Sequence, residues 1–87
     1  MMDKASRWRK ERSQLLDIVR SIDEDIDIDE APNEYPDSPE LHWTLRKGDD
    51  SFVLRVLELD FSHEVRLKIY VETELERWRA LQTNPTA

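Results

Sequence analysis

Four aspartates and a glutamate, Asp23, Asp25, Asp27, Asp29 and Glu34, stand at the first, third, fifth, seventh and twelfth positions of a calcium-loop pattern. The oxygen count suits a hard cation, but the sixth position, where the loop needs Gly, is Ile28, and Pro32 breaks the second half of the pattern. Ser62, His63 and Glu64 have the residue types of a hydrolytic triad. Consecutive side chains diverge rather than converge, so adjacency argues against a shared reaction centre. His42 has no second histidine or carboxylate pair near it in the strand pairing that the alternation implies, and Glu72 and Glu76 share a helix face without a histidine partner. The chain has no cysteine and only one glycine, which removes thiol chemistry and glycine-rich phosphate loops. No catalytic residue, metal site or cofactor is expected, and the chain reads as non-enzymatic.

Charge is the stronger signal. The 87 residues carry 13 Lys and Arg against 20 Asp and Glu, a net charge of -7. Residues 1–12 hold five bases and two acids, a balance of +3, whereas residues 13–40 hold ten acids against Arg20, a balance of -9. The remainder, with eight acids and seven bases, is close to neutral at -1. A carboxylate density of that kind resembles a phosphate strand and steers association with basic clefts. The candidate partner-binding residues are Asp23, Glu24, Asp25, Asp27, Asp29, Glu30, Glu34 and Asp37.

A chain this short folds as one domain, residues 1–87, with one modest core. No apolar run approaches the roughly 18 residues of a membrane span, and residues 1–12 lack the apolar stretch of a signal peptide. A soluble, cytoplasmic protein is the expectation. Leu15, Ile18, Val19 and Ile22, with Trp8 a heptad earlier, form the stripe of an amphipathic helix from about Lys4 to Ile22. Its bases lie at the N-terminal end and Asp23, Glu24 and Asp25 come after its C-terminus, against the helix dipole. Residues 23–40, with Pro32, Pro36 and Pro39, read as an acidic loop or linker. Acids alternating with Ile26 and Ile28 allow a short edge strand at 25–29.

Residues 41–46 alternate apolar and polar, and Gly48-Asp49 supplies a two-residue hairpin turn. Leu45 then faces Phe52, Trp43 faces Leu54 and Leu41 faces Val56. A second hairpin centred on Phe61-Ser62 would set Phe52, Leu54, Val56 and Glu58 against Val71, Ile69, Leu67 and Val65. Both assignments bury the same face of the middle strand, as a correct register requires. A capping box at Thr73 and Glu76 opens a terminal helix ending near Gln82. The expected fold is α+β, in the order α-β-β-β-α: a three-stranded antiparallel meander with two helices packed on one face. Its core would be Leu15, Ile18, Val19, Ile22, Trp43, Leu45, Phe52, Leu54, Val56, Leu67, Ile69, Val71, Leu75 and Trp78.

That element order resembles the double-stranded RNA-binding domain, which implies phosphate binding by bases opening the last helix. The corresponding stretch here is Glu72-Thr73-Glu74-Leu75-Glu76, whose acids repel phosphates. In size and charge the chain is also similar to small acidic phage-encoded inhibitors, anti-CRISPR proteins among them, an association that implies DNA mimicry. The outer sheet face would display Arg46, Val53, Arg55, Leu57, Leu59, Arg66, Lys68 and Tyr70. Ile26, Ile28 and Tyr35 would have to cover Val53, Leu57 and Leu59 for the acidic segment to dock there. The expected function is an acidic protein-binding module, an inhibitor or regulator engaging a basic, nucleic-acid-handling protein surface. Nucleic-acid binding through the outer face, which the net charge disfavours, and a structural homodimer through Val53, Leu57, Leu59 and Tyr70 are the alternatives.

Overall fold

A computed structural model describes residues 4–83. Two helices open the chain, α1 (Lys4–Arg7) and α2 (Arg9–Ile22), separated at Trp8, whose φ of -104° and ψ of 10° leave the helical region. Two-residue strands β1 (Asp27–Ile28) and β2 (Asn33–Glu34) precede the long hairpin of β3 (Glu40–Lys47) and β4 (Asp50–Leu57). A 3-10 turn (Glu58–Ser62) then leads into α3 (Glu64–Thr83).

The hairpin has the register read from the alternation: Leu41 pairs with Val56, Trp43 with Leu54 and Leu45 with Phe52. Gly48 turns at a φ of 60° and no other residue among those described has a positive φ, the combination of a type II′ turn. On the opposite edge of β3, β1 pairs through Asp27 with Arg46 and Ile28 with Leu45, and β2 through Asn33 with His42 and Glu34 with Leu41. Four residues, 29 to 32, stand against Trp43 and Thr44 alone, so this edge bulges by two residues. Asp29 N–H still reaches the Thr44 carbonyl at 3.0 Å, and Pro32 and Ala31 tuck towards the core.

The α+β class, the antiparallel sheet and the two helices beneath one sheet face stand as expected. The third strand does not. Residues 65–71 belong to α3, a 20-residue helix, and Thr73 lies inside it with its hydroxyl bonded back to the Ile69 carbonyl at 2.9 Å. The layout shared with double-stranded RNA-binding domains goes with that strand. Leu67 and Val71 fit both a two-residue and a helical period. Only the helix joins them to Leu75 and Trp78 in one buried stripe, at the cost of leaving Val65 76% and Ile69 60% exposed. Arg66, Leu67 and Lys68 are good helix formers, and Glu72, Glu74, Leu75, Glu76, Arg77, Arg79 and Ala80 continue the same preference through the rest of α3.

The core therefore loses Ile69 and gains Trp8, Ile26, Ile28 and Leu41. Ile18, Ile22 and Phe52 pack at its margin. Trp43 lies at its centre, edge-on to Trp8 at 6.1 Å and to Phe61 at 6.3 Å. Trp78 stacks on Phe52 at 5.5 Å and donates from Nε1 to Asp50 Oδ2 at 3.2 Å, tying α3 to the start of β4. Gln14 Nε2 donates to the Phe61 carbonyl at 2.8 Å, tying α2 to the 3-10 turn.

The helical assignment of 65–71 has a direct consequence in stability. Leu67→Ala is expected to cost about 2–5 kcal/mol, whereas Ile69→Lys should stay within about 0.5 kcal/mol. Urea unfolding of the two variants separates the helix from the strand, in which both positions would be core.

Candidate functional site

Residues 23–40 are built into the molecule as its acidic edge. Ile26 and Ile28 point into the core, almost wholly buried, and Asp27 between them and Asp25 before them face outward. Arg12, one turn after Trp8 on α2, lies across the free side of β1. Its Nε and Nη2 donate to the Ile28 carbonyl at 3.0 and 2.8 Å, and Nη2 also reaches Asp27 Oδ1 at 3.1 Å. Arg20 approaches the same carboxylate at 3.5 Å. Arg46 takes Asp29 through two bonds, 2.7 and 3.1 Å, and Lys47 takes Asp23 at 2.6 Å.

The eight acidic candidates thus divide. Asp23, Asp27 and Asp29 are committed to internal bases. Glu24, Asp25, Glu30, Glu34 and Asp37 are exposed, and no ion pair engages them among the described residues. The bases at Asp23, Asp27 and Asp29 also occupy the oxygens that a calcium loop would turn inward. Among the described residues no cluster of three or more metal-ligating side chains is suited to an ion.

The outer face is less basic than its sequence suggested. Arg46, Val53, Arg55 and Leu57 lie on the strands as expected, but Leu59 is on the 3-10 turn and Arg66, Lys68 and Tyr70 are on α3. The reason is the helical assignment of 65–71, which moves the last three off the sheet. Arg46 is neutralised by Asp29, leaving Arg55 without an ion pair on that face among the described residues. Ile26 and Ile28 do not cover Val53, Leu57 and Leu59, because they are in the core beneath the sheet; Tyr35 packs against His42 at 4.6 Å. Ser62, His63 and Glu64 straddle the junction between the 3-10 turn and α3, and the Ser62 hydroxyl donates to the Leu59 carbonyl at 2.7 Å.

Sequence reasoning passed over a cleft between β4 and α3, about 240 Å³ in volume, lined by Arg55 and Leu57 on one side and Arg66, Leu67 and Tyr70 on the other. The Tyr70 hydroxyl donates to the Arg55 carbonyl at 2.7 Å. Burial, with Glu74 and Glu40 nearby, pushes the phenol above its usual range, so it remains a protonated donor. The signal for this cleft is the four-residue spacing of Arg66 and Tyr70, which puts both on one side of a helix and which the alternation at 65–71 masks. No described helix is long and apolar enough to cross a membrane. Comparison with protein-family models, characterised sequences and solved structures finds no match to this chain.

The Lys47 hydrogen bond, helped by a second bond from the Asp25 N–H, holds the Asp23 carboxyl below its ordinary value of 3.8. A carboxyl depressed in the folded state stabilises the fold above the ordinary carboxylate range, and that contribution disappears as pH falls through the folded value. A carbon-13 NMR titration of Asp23 should give a midpoint below 3.8, and Lys47→Met should move it upward. An unchanged midpoint in the variant would mean that the ion pair does not form in solution.

Proposed function

We propose that this chain is a non-enzymatic, acidic protein-binding module, an inhibitor or regulator that presents its acidic edge to a basic protein surface of the kind that handles nucleic acid. The observation carrying the reading is the set of five exposed carboxylates, Glu24, Asp25, Glu30, Glu34 and Asp37, on backbone anchored by Ile26, Ile28 and Pro32. Anchoring matters energetically. Ordering a free acidic tail on binding costs on the order of 1 kcal/mol per residue, and a segment already folded into the domain avoids most of that cost. An array of fixed carboxylates also raises association rates with a basic cleft and makes binding salt-dependent.

Direct nucleic-acid binding through the outer face is a weaker reading, since Arg66 and Lys68 sit on α3 and Arg46 is paired. The whole-chain charge of -7 opposes it as well.

A basic DNA-binding domain carrying fluorescent duplex DNA provides the test. The acidic chain should displace the duplex, and its affinity should fall steeply with salt. Combining Glu24→Gln, Asp25→Asn, Glu30→Gln, Glu34→Gln and Asp37→Asn should weaken displacement at least tenfold with little change in thermal stability, because none of the five is in an ion pair among the described residues. Displacement by the variant equal to that of the parent chain would remove the proposal. Asp27 and Asp29 are unsuitable for this purpose, since both are already engaged by internal bases.

A further inference from the structure

The free side of β4 carries an inference separate from the acidic edge. In the hairpin closed by Lys47 and Asp50, the even-numbered residues of β4 bond to β3, and the odd-numbered residues Ser51, Val53, Arg55 and Leu57 turn their N–H and C=O groups away from it. β4 has no strand on that side among the described residues. The two ends of this edge are closed by the chain's own side chains. Ser51 N–H donates to Asp50 Oδ1 at 3.1 Å, Leu57 N–H to Asp60 Oδ2 at 3.0 Å, and the Arg55 carbonyl accepts from Tyr70 at 2.7 Å. Between these closures Val53 N–H and C=O and Arg55 N–H have no partner among the described residues. Val53, 47% exposed, and Leu57, 37% exposed, flank Arg55 on the outer face. Arg66 of α3 lines the cleft below, and neither arginine is in an ion pair among the described residues.

We propose that the β4 edge is a docking site for an extended segment of another protein, added as a further strand, with a carboxylate opposite Arg55 and apolar residues opposite Val53 and Leu57. Strand addition of this kind draws affinity from main-chain bonds and specificity from alternate side chains. The sheet already uses this chemistry at its other edge, where Asp27 is the register partner of Arg46 and Asp29 pairs with the same guanidinium. Opposite-charge cross-strand pairs are favourable and like charges directly opposite are not. A second copy of β4 fits poorly. Edge-to-edge pairing sets odd-numbered residues against odd-numbered ones, and Ser51, Val53, Arg55 and Leu57 include no acid to oppose Arg55.

Two blocked seven-residue peptides test this against the isotopically labelled full chain: Thr-Val-Thr-Asp-Thr-Val-Thr and the same sequence with lysine at its centre. The aspartate peptide should shift the amide signals of Val53 and Arg55 and bind at least tenfold more tightly than the lysine peptide. Val53→Pro should abolish the shifts, because its N–H is not used by β3 and proline is tolerated on a strand's open side. Arg55→Glu, which leaves every backbone group intact, should reverse the preference between the peptides. Absence of shifts with either peptide at millimolar concentration, or shifts that survive Val53→Pro, would overturn the proposal. Sedimentation as a dimer that Val53→Pro dissociates would overturn it in favour of a second copy.

Discussion

Burial of Ile26 and Ile28 beneath the sheet determines where the chain's carboxylates stand. A segment with four aspartates in seven residues, 23 to 29, has no electrostatic reason to compact. Each isoleucine contributes about 1.5–3 kcal/mol on leaving water, whereas exposed ion pairs contribute roughly 0–1 kcal/mol each. Apolar contact therefore fixes the strand, and the two-residue period then sends Asp27 and Asp29 outward. Arg12 adds what the isoleucines cannot. Its fork satisfies the Ile28 carbonyl on the side of β1 that has no strand neighbour among the described residues, closing that edge.

The unfavourable charge order of the first helix has its origin in the same arrangement. Bases at its N-terminal end oppose the dipole, yet Arg12 reaches Asp27, where it meets Arg20 from the favourably charged last turn, and Arg7 lies over the Trp8 ring at 4.2 Å and within 3.7 Å of Glu58. The helix gives up a few tenths of a kcal/mol per misplaced charge and in return supplies tertiary partners for an acidic strand. The molecule consequently has two edges of opposite character. One is closed by Arg12 and shows carboxylates in no ion pair among the described residues; the other is partly closed by Asp60 and Tyr70 and shows Arg55, likewise in no ion pair among them.

The hairpin was legible in the sequence because strict alternation and a single Gly-Asp turn leave one register. The first helix was legible from its stripe, and the edge strand at 25–29 from alternating acids and isoleucines. Residues 65–71 misled because Val65, Leu67, Ile69 and Val71 alternate, while Leu67, Val71, Leu75 and Trp78 recur at helical spacing. Local pattern supports both, and only the need for a continuous stripe under the sheet selects the helix. The acidic candidates were identified by type, but which of them face internal bases depends on Arg12, Arg20, Arg46 and Lys47 arriving from distant elements. No local signal encodes those meetings. Trp8 was missed from the core because it lies at a break between two helical segments, although its heptad spacing to Leu15 pointed there.

An ordered acidic edge strand is the central claim, and the exchange rate of the Asp29 amide measures it directly. Its N–H bonds the Thr44 carbonyl at 3.0 Å and depends on both isoleucines and on Arg12 holding β1 in place. Native-state hydrogen exchange should show Asp29 protected well above an unstructured peptide, and Arg12→Met should lower that protection without affecting Leu54 and Val56 in the hairpin. Exchange of Asp29 at the free-peptide rate, with the hairpin still protected, would contradict the claim.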